Sequence, residues 1–312
     1  MVDWPKKTVL VTGGKGFLGS RVVKMLKEKK VKRIIAPTSQ DCDLTRISNC
    51  KRIVRGVDIV FHFAARVGGI GLNRARPAEL FYDNLMMGAQ LLNEAKKANV
   101  EKVIALGTIC SYPKFTPIPF SEEHIWDGYP EETNAPYGLA KKMLLVQSQA
   151  YRQQYNFNSI VVFPTNLYGP KDNFNPDSSH VIPAIILKIY NAKKSKSKEI
   201  SVWGDGSPTR DFLYVDDAAR GIVLAAEKYD DSLPINLGSG EEVSIKDLIT
   251  IVARLMRYNG TINWDSTKPN GQPRRCVSSK RAEKELGFKP SVKLEEGLRQ
   301  TISWFVTFKR NR

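Results

Sequence analysis

The sequence predicts an α/β protein built on a doubly wound parallel sheet, with a smaller C-terminal α/β lobe, and three observations carry that expectation. Through the first half of the chain, short apolar runs alternate with longer helical patterns, the signature of β-α units around a parallel sheet. A glycine-rich turn, Gly13-Gly14-Lys15-Gly16-Phe17-Leu18-Gly19, joins the first apolar run to the first helical pattern. From Gly169 the pattern gives way to a polar loop rich in Asn, Pro and Ser that runs to Ser179, which marks the entry to a second lobe.

The elements follow in order. Thr8–Thr12, entirely β-branched or apolar, reads as a strand buried on both faces. Residues 16–28, 78–99 and 137–155 each carry apolar residues at spacings of three and four, the mark of a helix with one buried face. The runs 33–36, 59–64, Lys102–Leu106 and 159–163 supply the other parallel strands. Beyond the polar loop come a helix at 181–192, an exposed Lys/Ser turn, a strand at 200–203, a helix at 216–227, a strand at Ile235–Leu237, and helices near 245–258 and 294–308. The expected division assigns 1–168 and about 211–240 to a Rossmann-like dinucleotide-binding domain, and about 169–210 and 241–312 to a substrate lobe.

Bulk properties exclude several functions. A chain of 312 residues is slightly past the size at which one core splits into lobes. Hydrophobic content of 42% with charged content of 26% is ordinary for a soluble globular enzyme, and no apolar stretch approaches the roughly 20 residues that span a bilayer. The start, Met1 to Lys7, lacks the apolar core of a signal peptide, so a cytoplasmic protein away from the membrane is expected. Four scattered cysteines and three histidines indicate neither a disulfide framework nor a metal site. The net charge of +16 is dispersed, without interleaved stacking aromatics, which points to a solvated basic surface attractive to a polyanionic small molecule and away from nucleic acid.

The glycine turn allows the backbone to approach a pyrophosphate, whose charge then rests at the N-terminus of the following helix. Where an NAD site places a carboxylate after its second strand, this chain reads Ala36-Pro37-Thr38-Ser39-Gln40 and reaches Asp41 only afterwards. Lys15 and Arg21 are available instead to neutralise a 2′-phosphate, so NADP(H) is the expected cofactor.

Tyr137 and Lys141 stand four apart and so share one helix face. The ammonium is expected to lower the phenol pKa and orient it, so that the pair delivers a proton to a carbonyl oxygen while hydride reaches the carbon. Thr108, Cys110 and His180 complete a set that makes sense around a sugar ketone. A plain ketone reductase needs neither Cys110 nor His180, and two further acid/base groups imply that carbon-bound protons also move. A free thiol near pKa 8.5 and an imidazole near about 6.5 both exchange protons around neutrality. His62, inside a buried strand pattern, and His124, in a polar loop, read as structural.

Asn134-Ala135-Pro136-Tyr137-Gly138-Leu139-Ala140-Lys141 with the glycine turn resembles the extended short-chain dehydrogenase/reductase family. Within it, Val67-Gly68-Gly69-Ile70, Leu106-Gly107-Thr108-Ile109-Cys110-Ser111-Tyr112-Pro113-Lys114, Pro164-Thr165-Asn166-Leu167-Tyr168-Gly169-Pro170, Asp172-Asn173-Phe174-Asn175-Pro176 and Ser179-His180-Val181-Ile182-Pro183 resemble the GDP-L-fucose synthases. The resemblance implies a GDP-sugar substrate, GDP-4-keto-6-deoxy-D-mannose, epimerised at carbons 3 and 5 and reduced at carbon 4 with NADPH. It makes Cys110 and His180 the epimerising pair, Tyr137 the proton donor to oxygen 4, Lys141 the group that tunes Tyr137 and holds the nicotinamide ribose, and Thr108 a hydrogen-bonding partner near the carbonyl.

It also implies cofactor contacts from the glycine turn, Arg21, Ser39, Asp43, Leu44, Ala64, Ala65, Leu106, Gly107, Pro164, Thr165, Asn166, Leu167 and His180. Substrate contacts are implied for Asn166, Val181, Lys188, Trp203, Arg210, which grips the pyrophosphate, and Asn270. Three positions depart from the family: Thr108 stands where Ser is usual, Lys188 where Arg is frequent, and Asn270 where Asp occurs. The rival enzymes are a GDP-sugar 3,5-epimerase without net redox, whose second acid/base is Lys rather than His, and a 4-reductase of a related GDP-keto-sugar such as a heptose. Relatives pair through the Tyr-bearing helix, so a homodimer through 78–99 and 137–155 is expected.

Overall fold

Thr8–Thr12 (β1) has almost no polar interruption, and such a run is covered on both faces only in the interior of a parallel sheet. In the computed structural model, which describes residues 2–268 and 270–310, β1 lies between Arg33–Ile35 (β2) and Ile59–His62 (β3). Lys102–Leu106 (β4) and Ser159–Pro164 (β5) extend the sheet beyond β3. Ile235–Leu237 returns from late in the chain to close it, and all six strands run parallel. Phe17–Glu28 (α1), Ile47–Ile53 (α2), Ile70–Ala75 (α3), Pro77–Lys97 (α4) and Ala135–Tyr155 (α5) connect the strands. The chain turns from one side of β1 to the other between β2 and β3, and ligands of such sheets bind in the crevice that opens there, at the strands' carboxyl ends.

The second lobe starts earlier than the sequence suggests. Asn166–Tyr168 (β6) leaves the first sheet and pairs with Thr209–Tyr214, and Tyr168 is buried in the second core. Val181–Ser195 (α6) places Ile182, Ile185, Ile186 and Ile189 on one buried face, a spacing of three and four that commits the helix to that core. Glu199–Trp203 (β7) precedes the strand just named, Thr209–Tyr214 (β8), and Val215–Lys228 (α7) carries the chain back to the first sheet at Ile235–Leu237 (β9). Glu242–Ser244 (β10), Ile245–Leu255 (α8), Thr261–Asp265 (β11) and Arg274–Arg275 (β12) then build the rest of the lobe, with β10 and β12 flanking β8 and β11 paired to β7.

Lys280–Leu286 (α9) crosses the expected boundary the other way, for Ala282 and Leu286 are buried with α1 and α7 in the first core. Leu294–Arg310 (α10) returns Leu298, Ile302 and Phe305 to the second. None of the described helices is long and apolar enough to cross a membrane.

One close contact fixes the middle of the molecule. After β4 a short 3-10 turn, Ile109–Ser111, runs over the first turn of α5, where Ser111 Oγ donates to the Gly138 carbonyl at 2.8 Å. A Cβ at Gly138 would collide with the Cys110 carbonyl. We expect Gly138→Ala to cost about 1–3 kcal/mol through overpacking, measured by denaturant unfolding, with the backbone around Cys110 displaced. An unchanged midpoint would show that this contact yields freely.

Candidate active site

A cleft of about 1290 Å³ opens at the carboxyl ends of the first sheet and is bounded on its other side by the second lobe. From the first lobe it is lined by Gly13, Lys15, Gly16, Phe17, Leu18 and Gly19, by Ser39, Asp43 and Leu44, by Ala64, Ala65, Leu106 and Gly107, and by Thr108, Cys110, Tyr137 and Lys141. Pro164, Thr165, Asn166 and Leu167 line it where the lobes meet, and His180, Val181, Lys188, Trp203, Arg210 and Asn270 line it from the second. The residues singled out in the sequence thus share one cavity, with two exceptions.

Gly14 lies behind the turn, where a side chain would meet Ala36 Cβ and the Val11 carbonyl at 2.8 Å, so its smallness serves packing against the sheet. Arg21 does not line the cleft either. Its Nη2 donates to the Pro170 carbonyl at 2.9 Å and its Nε pairs with Asp216 at 3.3 Å, so this cation ties α1 to the lobe boundary and is not free for a phosphate. Asp41 is also held locally, accepting from Thr38 N at 2.9 Å and Thr38 Oγ1 at 2.5 Å. Those hydrogen bonds keep its carboxyl below the usual range, with the Lys15 charge assisting.

Thr108 caps the 3-10 turn by accepting from Cys110 N at 3.3 Å. Tyr137 and Lys141 are both buried. The expected lowering of the Tyr137 phenol by Lys141 is not what the protein produces: burial pushes the phenol well above its ordinary value, the Cys110 charge adds to the rise, and a hydrogen bond with Thr108 opposes it. Burial brings the Lys141 ammonium down to about 8. Desolvation thus governs both groups, and Tyr137 stays in the protonated form that a proton donor requires. No carboxylate pairs with Lys141 among the described residues.

His180 occupies the N-cap of α6 but does not spend its ring there, so the imidazole remains open to the cleft. The surrounding protein displaces enough water to hold its pKa below the ordinary value. His62 is structural: its Nδ1 meets Thr12 Oγ1 at 2.9 Å, and burial, aided by the Lys141 charge, drives the ring down to about 3. His124 lies on the surface against Asp127 Oδ2 at 2.6 Å.

In the second lobe Arg210 donates to its neighbour's carbonyl, Thr209 O, at 2.7 Å. Burial first, and Arg275 second, bring it down to about 10, so it is still a cation at neutral pH. Lys188 Nζ donates to Ser201 O at 2.7 Å. Trp203 is 50% exposed, leaving a face for a ligand, and Asn270 Oδ1 accepts from Asp205 N at 3.0 Å.

Sequence reasoning missed Arg275, Gln272 and Asp172 as cleft residues. Arg275 is one of 48 Lys and Arg residues, and nothing in its local sequence sets it apart from surface charge. Asp172 sat inside a recognised motif without a role. Its Oδ1 accepts from Asn173 N at 2.7 Å, while its buried Oδ2 has no partner among the described residues. Burial pushes its carboxyl up to about 7.

The parallel sheet, the glycine turn at its switch point and the Tyr/Lys pair on one helix define a nucleotide-dependent oxidoreductase of the short-chain type. The chain belongs to the NAD dependent epimerase/dehydratase family, whose pattern matches residues 9–238. It is 40% identical to the probable GDP-L-fucose synthase 1 of Oryza sativa subsp. japonica, over 96% of this chain and 92% of that protein. To the GDP-L-fucose synthase of Escherichia coli (strain K12) it is 34% identical, over 96% of this chain and 97% of the other. The crystal structure of a GDP-L-fucose synthetase from Naegleria fowleri bound to NADP superposes with a TM-score of 0.89 at 28% identity, covering 98% of this chain and 95% of that one.

Asp172 gives a pH test of the cleft. With a folded pKa of about 7 against about 3.9 in the unfolded chain, the folded protein keeps a proton that the unfolded chain releases. Its contribution to stability is therefore full below about pH 4 and is lost as the pH rises through 7. Asp172→Asn should raise the Tm more at pH 8 than at pH 5 in thermal unfolding; equal changes at both would show that Oδ2 is solvated.

Proposed function

We propose that this protein converts GDP-4-keto-6-deoxy-D-mannose to GDP-L-fucose with NADPH, epimerising carbons 3 and 5 and then reducing the ketone at carbon 4. The observation that carries this reading is the presence of Cys110 and His180 in the same cleft as Tyr137 and Lys141. The ketone acidifies the hydrogens on both neighbouring carbons. Inversion needs a proton removed from one face of the ring and returned to the other, and the two groups come from different lobes, Cys110 after β4 and His180 before α6.

Tyr137, kept protonated by burial, gives its proton to oxygen 4, with Thr108 beside it to share the developing negative charge. Arg210 and Lys188 take the GDP pyrophosphate, Trp203 packs against the ligand, and Asn166, Val181 and Asn270 complete the substrate contacts. The residues fit a dinucleotide: the glycine turn suits its pyrophosphate, Lys141 has no carboxylate partner among the described residues and suits its ribose, and Lys15 suits a 2′-phosphate. When bound, NADPH supplies the hydride for carbon 4.

A homodimer through α4 and α5 is part of the same reading, since Phe81, Tyr82, Val146 and Tyr155 stay exposed on those helices. The thiol form of all four cysteines suits a cytoplasmic setting.

In deuterated water with NADPH, product NMR should find deuterium at carbons 3 and 5 together with NADPH consumption. Consumption without exchange would reduce the protein to a simple ketone reductase. Tyr137→Phe should slow NADPH oxidation about 10²–10⁴-fold while exchange persists. Lys15→Ala should raise KM for NADPH about tenfold and leave NADH unaffected, whereas Arg21→Ala should not change either; the opposite pattern would return the 2′-phosphate to Arg21.

A further inference from the structure

Arg275 is 8% exposed, and it carries its charge into the cleft from β12. Its Nε donates to Gln272 Oε1 at 2.7 Å, and Gln272 Nε2 donates in turn to the Lys114 carbonyl at 2.9 Å, so the guanidinium is held from behind. Its Nη1 donates to Cys110 Sγ at 3.5 Å. Among the described residues it forms no salt bridge, unlike Arg274 beside it, which pairs with Glu242 at 2.6 Å. A buried guanidinium without an anion is costly, and the Cys110 thiol that it contacts is a group that becomes an anion on losing its proton.

The other groups facing Cys110 divide in sign. Arg210 on β8 senses the sulfur as an attractive charge, the Tyr137 phenol on α5 senses it as a repulsive one, and Thr108 holds the Cys110 amide. Glu131 acts on Arg210.

We propose that Arg275 is the positioning residue of Cys110: its guanidinium orients the sulfur in the cleft and supplies the counter-charge for the thiolate that takes a proton from the sugar. In that step the C–H bond at carbon 3 or 5 breaks, an S–H bond forms, and the electron pair moves into the enolate on oxygen 4. The inference rests on the proposed epimerisation, and part of its test does not.

Cys42, Cys50 and Cys276 are buried, so iodoacetamide labelling of the native, ligand-free protein followed by peptide mass spectrometry reads Cys110. Arg275→Gln should slow Cys110 labelling at pH 7 about tenfold, while Arg275→Lys should restore it to within about threefold. Deuterium exchange into GDP-4-keto-6-deoxy-D-mannose should lose kcat in step, with little change in KM. An unchanged labelling rate together with a raised KM would make Arg275 a nucleotide-binding residue and overturn the proposal. If circular dichroism shows that Arg275→Gln does not fold, Gln272→Leu, which removes the acceptor behind the guanidinium, should slow labelling in the same direction, and no change there would equally overturn it. Labelling that responds to Arg275 in a protein whose wild type exchanges no deuterium would sink the proposed reaction and leave the Arg275–Cys110 coupling standing.

Discussion

The seat of the Ile109–Ser111 turn on the first turn of α5 is the constraint on which the cleft depends. Gly138 admits the Cys110 carbonyl where any side chain would exclude it, and Ser111 locks the contact by donating to the Gly138 carbonyl at 2.8 Å. Gly138 directly follows Tyr137, so the same contact that seats the thiol-bearing turn also sets the phenol. The electrostatic consequence is visible at Tyr137, whose pKa is raised in part by the Cys110 charge. One backbone approach therefore couples the group suited to moving protons on carbon with the group suited to moving a proton on oxygen.

Around that contact the cleft collects cations that form no salt bridge with a carboxylate among the described residues. Lys141 and Arg210 are both brought down by burial, to about 8 and about 10, yet both are largely charged at neutral pH. Arg275 lies between Gln272 and Cys110 with no carboxylate bound among the described residues. Concentrating positive charge in a partly desolvated cavity destabilises the empty protein and rewards a ligand that brings negative charge. A substrate with a pyrophosphate and a ketone that becomes an enolate offers charge at two stages, on binding and during reaction. The net charge of +16 alone pointed only to a polyanionic partner; the buried members of the set give that attraction a location.

Legibility in the sequence followed element length and locality. β1 with its glycine turn and α1 could be read because strand, turn and helix are contiguous and each has its own signal. Tyr137 and Lys141 could be read because four residues on a helix are one face. Elements of two to seven residues, such as α2, α3, β6, β10 and β12, offer no periodicity to count. The ties of Arg21 could not be read because its partners, Pro170 and Asp216, lie some 150 to 200 residues away in sequence. Arg275 escaped for the same reason, its sulfur partner lying 165 residues earlier. Lowering of the Tyr137 pKa was expected because helix spacing shows which groups are near each other but not how much water they have lost.

The second lobe, which carries His180, is tied to the sheet that leads to Cys110 at the seam where β5 hands over to β6. Thr165 Oγ1 and Asn166 Nδ2 both donate to the Asp211 carbonyl, at 3.1 and 2.9 Å, which bolts the end of the first sheet to β8 of the second lobe. The Asp211 carboxyl faces the other way and accepts from Ser239 N at 2.9 Å and Ser239 Oγ at 2.6 Å, capturing the segment that follows β9. Burial holds that carboxyl up at about 6 despite these donors. A second tie crosses the cleft where Gly69 N donates to Ser178 O at 3.2 Å, two residues before His180. In the proposed reaction an acid/base pair split between lobes needs this kind of bracing, because inversion demands that the two groups approach one ring from separate sides while neither moves far. On that proposal the seam and the tie at Ser178 matter to the chemistry as much as the thiol and the imidazole they hold apart.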